Sequence, residues 1–219
     1  SYEELEPYYD LNDRMTGVSG LSGDPAYPPK SERPCPPLSI RGAGKAIAKG
    51  FDKLGWHWWP ADAAIASIPY GEGRQACNYG GSCDLGCMTG AKASTDITYW
   101  PAAIKAGAKL VTKARVRELI VGNDGRVKSA LYYRNGQLVE QEAHLIIVAC
   151  NGIGTPRLLL NSCSRQFPNG LANGSGLVGK NLMFHPAAMV TGYFDDYLES
   201  NRGPISNSIY SHHFYETDD

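Results

Sequence analysis

The most constraining stretch of the chain runs from Lys109 to Asn161, where three strand-forming runs are separated by turn signals and followed by a Gly-rich turn. The runs are Lys109 to Val121, Arg126 to Arg134 and Leu138 to Ala149; their connectors are Gly122-Asn-Asp-Gly125 and Asn135-Gly136. Asn and Gly accept the positive φ that tight hairpins need, so the pattern predicts an antiparallel meander. The last run is wholly apolar from Leu145 to Ala149, which predicts a strand buried on both faces. Asn151-Gly-Ile-Gly-Thr-Pro156 then predicts a turn and residues 157–161 a helix. Backbone amides at such a turn favour phosphate, although an ordinary strand-to-helix connection carries the same short Gly-x-Gly. The expected fold class is α/β, with α+β character in these residues.

Around this unit the sequence is rich in loop. Its 25 Gly and 14 Pro in 219 residues exceed the ~12% of average usage. Residues 1–13 predict a short capped helix presenting Leu5, Tyr8 and Tyr9 for docking, held to about two turns by Pro7. Ser1-x-x-Glu4 is a capping box with nothing before it, as though the sequence starts inside a longer protein. Six prolines without periodicity between Gly17 and Pro37 predict a surface arm, with Cys35 an isolated thiol. Ile40, Ala43, Ile47, Phe51 and Leu54 recur at helical steps and Gly55 supplies a stop, predicting an amphipathic helix over 39–55. Residues 57–68 predict an extended run opened by packed tryptophans, and 99–107 a short helix. The tail beyond Asn181 shows no closing element, and His212 and His213 read as a surface tail.

With 21 basic and 22 acidic residues the formal charge is −1, so no global field points to nucleic acid or anionic lipid. The longest apolar run, Leu145 to Cys150, is far below the ~18 residues of a membrane span, and the first residues carry no apolar signal region. Six cysteines are too sparse for a disulfide scaffold. Cys77, Cys83 and Cys87 nevertheless cluster as C-x5-C-x3-C among Gly80, Gly81 and Gly86. Thiolates grouped with glycines suit an iron–sulfur cluster with three ligated irons. Zinc completed by a distant histidine, a pair of buried thiols and a disulfide from Cys83 are the other readings.

Asn151-Gly-Ile-Gly-Thr-Pro-Arg-Leu-Leu-Leu-Asn-Ser162, Phe167-Pro-Asn-Gly-Leu-Ala-Asn173 and Gly176-Leu-Val-Gly-Lys-Asn-Leu-Met-Phe-His-Pro186 resemble the middle of a glucose-methanol-choline (GMC) flavoprotein oxidoreductase. Ser1 to Asp10 and Gly17-Val-Ser-Gly20 are similar to the same family. The resemblance implies FAD, with Val116, Ala149, Asn151 and Gly152 on its adenosine side; plain packing of these residues is the alternative. It implies an arm over 1–37, a partial FAD-binding domain over 38–163 and the start of a substrate domain over 164–219. The spacing of Cys77, Cys83 and Cys87 resembles that of bacterial sugar and polyol dehydrogenases of the glucose, gluconate, fructose and sorbitol type. That branch implies a [3Fe-4S] cluster passing electrons from flavin to a haem or quinone acceptor, a sugar or polyol substrate, a small chaperone-like subunit and a cytochrome c subunit. The family's Gly-x-Gly-x-x-Gly motif and catalytic His have no match here, and His185 is not that His. No catalytic residue is therefore assigned, and these 219 residues by themselves are expected to hold flavin weakly and not to oxidise alcohols. A cluster-free GMC alcohol oxidase or dehydrogenase and an inactive assembly module are the rival readings. The compartment stays open between periplasmic face and cytoplasm.

Overall fold

The structure, a computed structural model, describes residues 1–204 and 208–215; the end of the predicted tail, 216–219, lies outside the described residues. The chain divides into two packing units, Ser1–Ala108 with Thr191–Asp219, and Lys109–Val190.

The first unit opens with α1, Tyr2–Thr16, closed by Gly17 at φ 67°. It is longer than the two turns predicted, because Pro7 is carried inside it. An interior proline costs about 3 kcal/mol, and several anchors hold the far end in compensation. Buried Asp10 accepts a hydrogen bond from the Ser31 hydroxyl, and Asp13 takes the Arg33 guanidinium at 2.8 Å. The Pro-rich arm is likewise pinned down: Ser19 bridges Cys35 and Ala63, and Cys35 is a fully buried free thiol. The second helix, α2, spans Gly42–Leu54 and ends on Gly55 at φ 69°. Its buried positions are Gly44 and Ala48, whereas Ile47 and Leu54 of the predicted stripe are exposed. The inward face is shifted because a Cβ at Gly44 would lie 2.2 Å from Ser208 Oγ, a separation only glycine allows.

Only Trp59–Pro60 of the extended run 57–68 forms a strand, β1. A short helix, α3, covers Tyr99–Lys105. The tail does close the unit, contrary to expectation: its Ile209–Tyr210 pairs antiparallel with β1. His212 sits edge-on to Tyr27 and Tyr210, and His213 Nδ1 accepts the His57 amide at 3.2 Å. Tyr210 donates to buried Asp24 at 3.0 Å, as His57 Nε2 does at 2.7 Å. The tail's partners lie more than 150 residues away in sequence, a distance that local periodicity does not span.

The second unit is the predicted meander. Strands β2 (Arg115–Val121), β3 (Val127–Arg134) and β4 (Gln137–Glu142) form one antiparallel sheet in that order. Asn135 at φ 50° and Gly136 at φ 77° make the tight turn, as their chemistry requires. Both long strand predictions are trimmed. Residues 109–114 carry no strand, and 145–149 form none after β4. Ile146 and Val148 pack on the core while Leu145 is 78% and Ile147 81% exposed. An apolar run becomes a strand only beside a partner for its backbone groups, and among the described residues none hydrogen-bonds to this run. The helix α4, Asn151–Asn161, begins where the Gly-rich turn was expected.

The core of this unit is Leu119, Leu158 and Leu171 with Val121, Val127 and Phe167 packed around it. Ser162 joins α4 to β2 beneath it: its Oγ donates to Leu158 O at 2.7 Å and accepts the Leu119 amide at 2.9 Å. The side chain is 1% exposed, so Ser162→Ala leaves a buried amide unpaired. The expected loss is about 1–3 kcal/mol, measured as a lower denaturation midpoint with an unchanged denaturant slope.

Candidate functional site

The cysteine loop is closed at its base by backbone. Ala66 accepts the Cys77 amide at 2.8 Å and donates its own to Ala91 O at 2.9 Å, while the Gln75 amide reaches Thr89 O at 3.0 Å. Arg74, only 6% exposed, locks that base. Its guanidinium donates to Thr16 O and Ala91 O, each at 2.8 Å, and to Gly90 O at 3.0 Å. Sequence reasoning missed this residue, since a single arginine carries no pattern.

Cys77 and Cys87 are half-buried against the cluster of Leu38, Ala63, Ile65 and Ala91. Cys83 sits in the tight turn Ser82–Gly86, where Ser82 O accepts the Leu85 and Gly86 amides at 3.0 Å. Gly81 meets two demands at once: φ 75° and a Cβ position 2.5 Å from Asn201 O. At the loop tip Leu85 and Met88 are 94% and 97% exposed.

Sulfur chemistry differs along the loop. Burial pushes the Cys77 thiol up against the pull of the Tyr79 amide, which reaches Sγ at 3.4 Å, and charge at Cys83 and Cys87 raises it further. Burial also raises Cys87, but donors from Lys92, Thr89 and Ala91 outweigh it and leave the thiol below its ordinary value. The Lys92 amide lies 3.3 Å from Cys87 Sγ and the Thr89 hydroxyl 3.4 Å. Cys87 is thus the readier thiolate, the form that ligates metal. All six cysteines are free. Among the described residues no group of three or more His, Cys, Asp or Glu side chains is placed to hold a metal ion, so Cys77, Cys83 and Cys87 share one loop without being gathered into a metal-binding group. The loop presents three thiols, with amide donors on two of the sulfurs.

A second candidate lies within the other unit. A cleft of about 430 Å³ is lined by Arg115, Val116 and Arg117 of β2, Tyr133 of β3, and Cys150, Gly154 and Arg157 at the start of α4. The register between β2 and β3 shifts between Val116 and Glu118, and Val116 is left 41% exposed at the cleft. Ala149, Asn151 and Gly152 flank the lining residues in sequence but are not among them. Asn151 is engaged by the helix itself, since at φ 64° its Oδ1 accepts the amides of Ile153 and Gly154, each at 2.9 Å. That is N-cap behaviour, and it occupies amides that the sequence left open to phosphate. Its volume falls within the ~300–1,000 Å³ of small-molecule sites, and an exposed strand edge and guanidinium groups line it.

Comparison with known proteins gives a match to the family model described as GMC oxidoreductase over residues 38–187. The chain is 43% identical over 223 residues to 2-methyl-1,2-propanediol dehydrogenase of Mycolicibacterium austroafricanum, covering 100% of this chain and 40% of that protein. It is 34% identical over 193 residues to the fructose dehydrogenase large subunit of Gluconobacter japonicus, covering 85% and 35%. Paromamine 6'-oxidase of Streptomyces fradiae is 30% identical over 233 residues, covering 98% and 40%. The chain thus spans about two fifths of the length of these relatives.

Proposed function

The chain belongs to the GMC oxidoreductase family, and from that premise we propose that it is the central part of an FAD-dependent dehydrogenase oxidising a hydroxyl of a sugar or small polyol. Membership implies FAD binding, and the alcohol and sugar relatives support an oxidoreductase. The single observation carrying the reading is the end-to-end match to a diol dehydrogenase; it favours a short diol within the polyol class.

On this reading residues 1–37 are the arm, 38–163 part of the FAD-binding domain and 164–219 the opening of the substrate domain. The cleft beside Val116 holds the adenosine end, with Ala149, Asn151 and Gly152 forming its rim. Cys77, Cys83 and Cys87 would hold a [3Fe-4S] cluster, their sulfurs tuned by the amides of Tyr79 and Lys92. Bound flavin supplies a two-electron acceptor for hydride from the carbinol carbon, and the cluster a one-electron exit. The carbinol becomes a carbonyl, and its hydroxyl proton goes to a base that no residue of this chain is assigned to be. A chaperone-like small subunit and a cytochrome c subunit complete the proposal. The cluster-free alternative draws on the absence, among the described residues, of any group of three or more His, Cys, Asp or Glu side chains placed to hold a metal ion.

The test uses protein expressed from its native reading frame, assayed by flavin absorbance and dye reduction with 1,2-diols, polyols and aldoses. A yellow protein that reduces dye with diol or polyol is expected. A colourless protein without substrate-dependent reduction overturns the reading.

A further inference from the structure

Within the first unit the arm from Leu21 to Arg33 forms a strap tied at both ends. Trp59 Nε1 donates to Leu21 O at 2.7 Å, Ser22 Oγ donates to Ser31 O at 3.0 Å, and Arg33 donates to Asp13 at 2.8 Å. A cavity of about 260 Å³ lies against it, with walls that include Tyr27, Pro28, Pro29 and Arg33 of the strap, Asp62 from the segment after β1, and Tyr210 of the tail. One ion pair on these walls is incomplete. Arg33 Nη2 donates to Asp62 Oδ2, but Arg33 Nε and Asp62 Oδ1 are buried with no hydrogen-bond partner among the described residues. In a guanidinium the N–H of Nε and one N–H of Nη2 point the same way, so a facing carboxylate can take both in a two-bond fork. Here half of that fork is made and half stays open. Buried polar atoms are rarely left so in native proteins, because each unpaired one carries its full desolvation cost.

The open half specifies what completes it. The Nε–H needs an acceptor and Oδ1 needs a donor, and a single hydroxyl oxygen is both. An ammonium group only donates, and a carboxylate only accepts. The Tyr27 ring and the two prolines offer apolar faces to a carbon skeleton, and a few convergent polar groups on apolar walls are the usual make-up of a small-molecule pocket. We infer that this cavity is a seat for a small polyol, one hydroxyl of which bridges Arg33 Nε and Asp62 Oδ1. The inference rests on the proposed function for its ligand class and adds a place where this unit takes hold of it. Both atoms are shut off from solvent, so the hydroxyl enters as the strap lifts and is enclosed as it returns.

The test follows amide hydrogen exchange of residues 21–33 in protein expressed from its native reading frame, held reduced and without acceptor so that no turnover occurs. The probes are 1,2-propanediol and its di-O-methyl ether, 1,2-dimethoxypropane, which accepts hydrogen bonds and donates none. The diol is expected to slow exchange across the strap, and the ether to need at least about tenfold more for the same effect, the worth of one hydrogen bond to a charged group. Arg33→Lys keeps a cation for Asp13 but removes the Nε–H, and should raise the diol concentration needed by at least about tenfold. If that variant exchanges freely before any diol is added, its fold is lost and the comparison of diol with ether on wild type decides. No slowing by the diol, as when the fork holds only a water, overturns the inference, as does equal slowing by diol and ether or an equal response of folded Arg33→Lys and wild type. Dye reduction in the same preparation separates the two levels. Slowed strap exchange in a colourless protein that reduces no dye supports the seat and counts against the dehydrogenase reading. Diol-dependent dye reduction with an unaffected strap supports the dehydrogenase and overturns the seat.

Discussion

Cys83→Ser is expected to leave flavin binding and substrate-dependent flavin bleaching intact while abolishing turnover with a one-electron acceptor. Cys83 sits at the turn Ser82–Gly86, away from the apolar cluster that holds Cys77 and Cys87, so its replacement removes one of the three proposed cluster ligands with little cost to packing. Loss of a residue that merely hydrogen-bonds to a metal ligand costs ~10–100-fold in metal affinity or activity; loss of a ligand should exceed that. Acceptor reduction should therefore fall by more than roughly 100-fold, together with loss of iron and acid-labile sulfide from anaerobically purified protein. Wild-type turnover in the variant, or wild-type protein containing zinc and no iron, would show that the three cysteines serve as thiols or as a zinc site.

Arg74→Ala carries the largest stability effect. Three carbonyls, Thr16 O, Gly90 O and Ala91 O, converge on a guanidinium that is itself buried. Hydrogen bonds to a charged group are worth about 1.5–3 kcal/mol each, and an unpaired buried acceptor adds its own cost. A loss of about 3 kcal/mol or more is expected, a large part of the ~5–15 kcal/mol of a typical domain. Because Gly90 and Ala91 follow closely on Cys87, the proposed cluster predicts that iron content falls as well. Arg74→Lys keeps the charge without the planar fork and should recover only part of the stability. A denaturation midpoint for Arg74→Ala equal to wild type would remove Arg74 from this role.

Much of the chain was legible because its signals are local. Asn135-Gly136 forms its turn, and Gly17 and Gly55 stop their helices at positive φ, since a left-handed backbone selects glycine whatever surrounds it. The three strands of the meander follow from the strand-forming runs and the turns at Gly122–Gly125 and Asn135–Gly136 that separate them. The cysteine spacing and the family resemblance also lie in the order of residues alone.

Where several groups compete for one backbone, order alone did not decide. The glycines after Cys150 read as a turn with free amides, and the Asn151 side chain claimed two of the amides there for the helix instead. Leu145 to Ala149 read as a buried strand, but apolarity does not supply the neighbour a strand needs. Pro7 read as holding the first helix to about two turns, and the helix runs to Thr16 with Asp10 and Asp13 anchored by Ser31 and Arg33. The amino-acid sequence by itself determined the turns, the helix stops, the strand order and the family, because each is written within a few consecutive residues. Only the tertiary structure brought Arg74 to a carbonyl 58 residues away, the tail to β1, and Arg115 and Arg157 to one cleft. Those contacts join residues far apart along the chain, and only packing determines which of them meet.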